Sequence, residues 1–573
     1  MRFLEGKSAS AGICRGTAYL FSVPELKFEP GVIEDTDIEG QRLEKAFSDT
    51  FNELSLIKSG LSESLGEEYG HIFRAQMTMA EDEEFLKDTV DIILEEKCCA
   101  EQALTAIYDG YSELFASLGE DDYNRQRLAD LTDVFKRILR NLLGIQEVSL
   151  AGVPKGSIVM AEDLLPSDTA MMNRNNVLGI ISEKGGVTSH VAILAKSLGI
   201  PAAVGVANAM SEADQAMEVL LDTSDFEKAS VCLNPDNEKR ASFLTKMEDY
   251  NRRKREILLN KDLEPVTLDG KKVELSINIG SIEELESGLE FGAKSIGLLR
   301  TEFFFLGSQS LPDEEKQFRF YRTAAEKMAP GMVVIRTLDI GGDKEVSCFS
   351  LPKEDNPFLG LRGIRVSLKY RDMFKTQLRA IMRAAAYGNV KVMFPMVADV
   401  SEFLLAKEII AEAVGELKAE GEVYDSDLEA GVMVETPAAV LLTDLLTRKA
   451  DFVSIGTNDL TQYVLCADRI NENVSSYYRL FSPAVFRALK MTAENAHQNG
   501  RWAGICGELG GMSLAIPVLV GLGIDELSMN ARQLPEAVSI IRKLNYEECR
   551  LAADKVLSME TEEEIKDYLQ SKF

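Results

Sequence analysis

Apolar positions follow a helical period between Gly31 and Val153 and gather in short strand-like runs on either side of it, and the changes of pattern mark the parts of the chain. Between Gly31 and Val153 there is no proline, and apolar residues recur at helical spacing. Leu131, Val134, Phe135, Ile138, Leu139, Leu142 and Leu143 fall at i, i+3, i+4, i+7, i+8, i+11 and i+12, one stripe of an amphipathic helix. Around this region lie short apolar runs bounded by Gly, Asp or Pro. GICRGTAYLF precedes it, and GSIVMAEDL, VLGIISEKG, PAAVGV and MEVLLDT follow. Such runs predict strands. The pattern therefore predicts a small α/β domain over residues 1–30 and 145–236, with a helical subdomain, 31–144, inserted into it. Residues 237–262 are charged and helix-prone and predict a helical linker.

From residue 263 to 573 strand-like and helix-competent stretches alternate. The strand-like runs are KVELSINIG, SIGLLRTEF, MVVIRTLDIGG, VKVMFPMV, AGVMVETP, FVSIGTNDL, WAGICGELGG and IDELSMNA. Eight βα units predict a (β/α)₈ barrel, whose reactive groups lie at the C-terminal ends of its strands. Polar residues gather at those ends: Arg300 and Glu302, Arg336 and Asp339, Glu435, Asn458 and Asp459, Cys506 and Glu508. Loop solvation puts charges at strand ends too, but their recurrence at one end of successive strands favours a site.

Composition narrows the choices. A net charge of −30 makes nucleic acid an unsuitable partner, because phosphate backbones are held by Lys and Arg. No stretch approaches the roughly 18 uninterrupted apolar residues of a membrane span. The N-terminus MRFLEGKSASAG lacks a hydrophobic signal core, so the expected location is the cytoplasm. The eight cysteines include no C-x-x-C pair, which suits reduced thiols rather than a zinc site.

The strand-end residues describe a ligand. Arg300 and Arg336, from neighbouring strands, make a fork suited to phosphate and carboxylate oxygens. Glu435 and Asp459 can supply the one or two carboxylates by which Mg²⁺ is usually held, with substrate oxygens completing the shell. Asn458 can donate to a phosphate oxygen, and Arg469 in CADRI adds a third cation. The set specifies a small, doubly anionic, oxygen-rich ligand bound through a metal. Cys506 can protonate a carbanionic or enolate carbon; as a small buried filler it fits equally well. One of only three histidines, His190, stands in KGGVTSHVAILAKSLGIPAAVG behind two glycines and a Thr-Ser pair, at the mouth of an apolar run. His71 and His497 lie in charged helical stretches and read as structural.

In chain order, GLLRTEF, RTLDIGGDK, NPFLGLRGIR, VMFPMV, VMVETPAA, SIGTNDLTQY, DR and GICGELGG closely resemble the C-terminal barrel of enzyme I of the bacterial phosphotransferase system. GGVTSHVAILAKSLGIPAAVG resembles the phosphohistidine motif of the same family, and GKSASAGICRGTAYLF with the helical insertion completes the order of parts. Pyruvate phosphate dikinase and phosphoenolpyruvate synthase share versions of the histidine motif, but both need a large ATP-binding domain, and there is no room for one before His190. The resemblance implies a small swivelling α/β phosphohistidine domain ahead of the barrel, with His190 as the phosphoryl carrier. It implies that phosphoenolpyruvate binds through Arg300, Arg336, Asn458, Asp459, Arg469 and Arg362, with Mg²⁺ on Glu435 and Asp459. It implies further that Cys506 protonates the leaving enolate, that the phosphocarrier HPr is the next acceptor, and that the barrel forms a homodimer. Thr188 and Ser189 can offer hydroxyls to the phosphoryl group, and a helix starting at His190 would add its positive end.

The chain departs from that family at several points. Val187 stands where sugar-type members usually have Arg, and Gln76 where the carrier-docking region usually has His. LLDTSDFEKA lacks the usual Asp-Gly turn, Ile470 interrupts the usual DRGN, and Met512 replaces a common Asp. A specialised or degenerate relative that binds phosphoenolpyruvate in a regulatory role is thus a second reading. Next to Gln76, Glu81, Asp82, Glu83, Glu84, Asp88 and Asp91 form an acidic stretch suited to steering a basic carrier.

Overall fold

The computed structural model describes all residues except 23–25, 66–71, 118–121, 146–149, 165–171, 173–174, 187–189, 226–227, 307–310, 343–350, 353, 470 and 472–473. Two compact units divide the chain, Met1–Arg253 and Lys254–Phe573.

In the first unit seven strands close into a small barrel: β1 (Arg2–Ser10), β2 (Ile13–Phe21), β3 (Ser157–Ala161), β4 (Val177–Ser182), β5 (Ala202–Val204), β6 (Glu218–Asp222) and β7 (Lys228–Leu233), in the order β1-β5-β4-β3-β2-β6-β7. Five coincide with the predicted runs. The other two, β1 and β7, pair antiparallel from Arg2↔Leu233 to Lys7↔Lys228 and close the ring. Their sequences, RFLEGKSAS and KASVCL, escape the pattern because much of each faces solvent: Arg2, Phe3, Glu5, Lys7 and Lys228 are exposed.

Among the described residues, five helices lie between β2 and β3: α1 (Thr36–Leu65), α2 (Ile72–Ala80), α3 (Glu83–Glu96), α4 (Ala100–Ser117) and α5 (Asp122–Leu142). The apolar stripe of α5 is buried with Leu43, Leu54, Ile93 and Leu104 in a core of its own, and Tyr108 stacks on Phe135 at 4.1 Å. After β5 and β7 the chain enters a long helix, Asn237–Leu258. Its Phe243, Met247 and Tyr250 pack on Ile13, Leu220 and Cys232, and its Arg240 forks onto Glu218 at 2.6–3.0 Å. The first half of the expected linker is therefore docked on the small barrel.

The second unit is a closed barrel of eight parallel strands: β8 (Glu274–Ile279), β9 (Ile296–Leu299), β10 (Met332–Arg336), β11 (Asn389–Phe394), β12 (Glu429–Val434), β13 (Phe452–Ile455), β14 (Trp502–Ile505) and β15 (Glu526–Met529). Six lie within the predicted runs, and β11 and β12 start one residue before theirs. Helices cover the outside with their apolar faces: the helix Arg371–Ala385 buries Phe374, Leu378, Ile381 and Ala384. Local chemistry sets their ends. Asp399 and Glu402 form a capping box at the start of the helix Val400–Glu420, and Gly421, at φ 74°, ends it in the left-handed conformation that glycine adopts without cost.

Candidate active site

The strand-end charges expected from the sequence come together at the C-terminal mouth of the large barrel, and most are buried. Arg336 ends β10 and donates to Glu302 at 2.8 Å, with Asp339 3.3 Å from its other terminal nitrogen. Glu302 also accepts from the Asp339 backbone at 3.0 Å, which ties the helix after β9 to the loop after β10. Arg362, fully buried, lies between two carboxylates. It reaches Asp339 with two bonds of 3.2 Å and Asp459 with bonds of 3.0 and 3.1 Å. A planar guanidinium suits such a double fork, whereas the ammonium of lysine would reach fewer oxygens. Burial works to lower the Arg362 pKa, but Asp339 and Asp459 outweigh it and hold the charge more firmly than usual. Arg336 is raised in the same way, against burial, by Glu302 and Asp339.

Glu435, one residue beyond β12, takes a different course. Its Oε1 accepts from the Met396 backbone N–H at 2.6 Å, a donor turned inward because Met396 adopts φ 59°. Gly456 lets the carboxyl lie against the end of β13; a Cβ there would meet Oε2 at 2.6 Å. Burial pushes Glu435 up to about 8, and Asp459 and Asp339 add to the rise against the pull of Arg336 and Arg362.

Glu302, Asp339, Glu435 and Asp459 are four buried carboxylates facing the two buried guanidiniums of Arg336 and Arg362. The negative excess, the hard oxygen donors and the unfavourable ionisation of Glu435 together fit a small divalent cation. Among the described residues no group of three or more Asp, Glu, His or Cys side chains forms a closed cage. A cation at this mouth would take one or two of these carboxylates and complete its shell with oxygens of a ligand.

Around the mouth, Asn458 accepts from the Glu508 backbone at 3.0 Å, and its own carbonyl accepts from the Tyr478 hydroxyl at 3.2 Å. Arg469 bonds through its backbone to Gln462 at 3.2 Å, and its side chain is beside the Tyr478 hydroxyl. Arg300 follows β9, its backbone bonded to Ile279 at 2.8 Å. Cys506 is one residue past β14, in an apolar cluster with Leu298, Val334, Met393, Met433 and Phe452. Burial pushes its thiol up to about 12, so at neutral pH it carries a proton to give. Sequence reading passed over Tyr463, which faces Arg362 at 3.4 Å, and the Met396 amide. Tyr463 was within a quoted motif, SIGTNDLTQY; the Met396 amide left no signal, because its role depends on backbone conformation.

In the first unit a helix of nine residues, His190–Leu198, begins at His190. Val191, Ala192 and Ala195 anchor it in the barrel-side core with Val159, Ile180 and Val204. Val187, Thr188 and Ser189 lie outside the described residues, as do His71 and Ile470. Gln76 is buried and donates to Asp130 at 3.2 Å, so it packs inside the helical subdomain. His497 pairs with Asp525 at 2.7 Å on the surface.

Three family models match in succession: "PEP-utilising enzyme, N-terminal" over residues 5–127, "mobile domain" over 153–225 and "PEP-binding domain" over 254–546. A phosphoenolpyruvate-protein phosphotransferase of Priestia megaterium is 41% identical over 570 residues, covering 100% of this chain and 99% of its own. That of Bacillus subtilis (strain 168) is 40% identical over 573 residues, covering 100% of both. The chain belongs to the phosphoenolpyruvate-protein phosphotransferase family. An NMR structure of Enzyme I (nEIt) is 34% identical and covers 43% of this chain and 99% of its own, with a TM-score of 0.39. Membership makes the chain an enzyme of phosphoenolpyruvate-dependent phosphoryl transfer, and the family acts with a metal ion. Among the described residues no helix is long and apolar enough to cross a membrane.

Proposed function

We propose that the enzyme moves the phosphoryl group of phosphoenolpyruvate to His190 and from there to a histidine of the phosphocarrier HPr, releasing pyruvate. Arg300, Arg336, Asn458, Asp459 and Arg469 meet the substrate. Arg362, with its guanidinium already committed to Asp339 and Asp459, acts mainly by fixing Asp459. Glu435 and Asp459 would hold Mg²⁺, which when bound would neutralise charge on the substrate's oxygens. The imidazole of His190 attacks phosphorus in line; a P–N bond forms as the P–O bond to the enol breaks. Preorganised arginines stabilise the charge spread over the transferring oxygens. The enolate left behind takes a proton at carbon from Cys506 and becomes pyruvate. His190 then meets the carrier through the helical subdomain, in the cytoplasm, from an enzyme dimerised through its large barrel.

The observation that carries this reading is the buried network of two arginines and four carboxylates at the mouth of the large barrel, one of them poorly ionised. It is a charge arrangement that calls for a cation and an anion together. Incubation with labelled phosphoenolpyruvate and Mg²⁺ tests it. The expected result is an acid-labile, alkali-stable phosphoprotein that passes its label to HPr. Tight binding without labelling would instead make the chain a sensor.

A further inference from the structure

Below the mouth, the large barrel holds a carboxyl that the reaction above does not use. Glu526 opens β15 at the N-terminal end of the barrel, yet it is 2% exposed. The space for it comes from two neighbours without side chains: a Cβ at Gly297 on β9 or Gly504 on β14 would overlap its carboxyl oxygens. Neither oxygen makes a hydrogen bond of ordinary geometry. A charged carboxylate without partners in such a place would be strongly disfavoured, and burial pushes Glu526 up to about 8.

Two sets of neighbours give this proton somewhere to go. On one side the Ser276 hydroxyl of β8 is beside the carboxyl. It bonds to the Ser295 hydroxyl at 2.9 Å, which bonds in turn to Glu274 at 2.8 Å. Ser276 and Ser295 are buried and Glu274 is exposed, so two bonded hydroxyls lie between Glu526 and solvent at the barrel's N-terminal face, with a rotation of the Ser276 hydroxyl or the carboxyl needed to join them. On the other side, Glu526 is in register with Gly504. Two residues on, and so on the same interior face about 7 Å higher, stands Cys506. The two groups feel one another: an ionised Glu526 is one of the charges that hold the proton on the Cys506 thiol, along with Glu435 and against Arg336. Glu274 and Cys506 are the titratable groups that the neighbouring strands turn towards Glu526.

We propose that Glu526 is a positioning residue that reloads Cys506 with its proton, drawn from the N-terminal face of the barrel through Ser295 and Ser276. The proposal rests on the reading of Cys506 as proton donor. The steps balance. The thiol gives its proton to the enolate carbon, forming C–H and leaving a thiolate. The Glu526 side chain then swings up the barrel interior to within hydrogen-bond reach of the thiolate, and its O–H bond breaks as S–H reforms. The Glu526 carboxylate regains a proton from water, each serine hydroxyl accepting one and passing one on. Reloading from below lets the thiol recover while product still fills the mouth above it.

The test follows exchange of pyruvate methyl hydrogens into deuterium oxide by NMR, on the full chain with Mg²⁺, across pH. Cys506→Ala should abolish exchange. Glu526→Gln, nearly isosteric but unable to release a proton, should slow it about 100-fold, the lower end for losing a positioned proton carrier. It should also remove the high-pH limb of the wild-type profile. Ser295→Ala should slow exchange several-fold with the carboxyl intact, and it keeps the question answerable if Glu526→Gln fails to fold. In the infrared, wild type should show a protonated-carboxyl carbonyl band that titrates and that Glu526→Gln lacks. If Cys506→Ala loses exchange while Glu526→Gln and Ser295→Ala match wild type in rate and pH profile, the relay is overturned and the role of Cys506 stands. If Cys506→Ala exchanges as wild type does, the reading beneath the relay fails.

Discussion

The two barrels of this chain solve opposite problems. The strands of the seven-stranded barrel carry aliphatic side chains on both faces, Val219 and Val231 in one cluster and Val159, Ile180 and Val204 in another beneath the helix His190–Leu198, and its proposed chemistry is at the start of that helix. The eight-stranded barrel carries charge inside it: Arg336, Arg362, Glu302, Asp339, Glu435 and Asp459 at the mouth, and Glu526 below. In the proposed reaction His190 is offered to two different partners, a task that a side chain locked into a hydrogen-bonded network could not perform. A site that must recognise a small, highly charged ligand gains from dipoles and charges fixed beforehand, because no reorganisation is then needed during the reaction. On the proposed reading the carrier unit is chemically sparse and the binding unit chemically dense.

The sharpest way to break that comparison is His190→Ala. Phosphoprotein formation should disappear, while phosphoenolpyruvate binding, measured by calorimetry, persists because its contacts are on the other barrel. Labelling of the variant at full stoichiometry would move the chemistry away from the carrier helix.

The dense network offers the next test. Arg362→Met removes a cation from between Asp339 and Asp459 and leaves both carboxylates buried without it. The expected cost is about 3–5 kcal/mol of unfolding free energy, the usual penalty for breaking a buried ion pair from one side. Chemical denaturation should find that loss in the Lys254–Phe573 unit. A change under about 1 kcal/mol, the scale of an exposed pair, would mean that the fork is not holding the mouth together.

A smaller effect separates Glu526 from the mouth residues. Its folded pKa is raised from 4.5 to about 8, so across that window the folded protein keeps a proton that the unfolded chain has released. Stability must then fall as pH rises through the window. Glu526→Gln should flatten this slope, and melting curves at several pH values give the comparison. An unchanged slope would place the ionised carboxylate comfortably in the barrel.

The smallest effect concerns the helical subdomain. Of the acidic residues next to Gln76, Asp82 already has a structural task, capping α3 by accepting from Glu84 and Phe85 backbone N–H groups at 2.9 and 3.2 Å. Glu84 and Asp91 are exposed. Carrier phosphorylation should slow a few-fold as salt rises from low values to about 0.1 M, where the screening length is roughly 10 Å, while His190 labelling changes less. Glu84→Gln should weaken that salt dependence. A transfer rate that is flat with salt would make the stretch ordinary solvated surface.

Much of this architecture was open to reading from the chain alone, for reasons that differ by element. The strands of the large barrel are buried on both faces, so each appears as a dense apolar run with polar residues just past its end. The stripe of α5 is legible because one face packs and the other does not. By contrast, β1 and β7 are half wet and short of large apolar residues, and only their pairing with each other reveals them as strands. Arg336, Glu435, Asp459 and Cys506 announced themselves by their place after strands. Which carboxylate each arginine would take did not follow, since Arg362 reaches Asp339 across 23 positions and Asp459 across 97.

Local sequence determined the elements, their order and the types of chemical group at their ends, because periodicity, capping and turn chemistry act over a few residues. Barrel closure decided the rest. It put Glu526, whose position at the start of a strand looks solvent-facing, opposite two glycines from other strands and beneath a thiol. Burial and charge pairing are properties of what surrounds a residue in space, and in this chain those surroundings come from segments tens to hundreds of positions away.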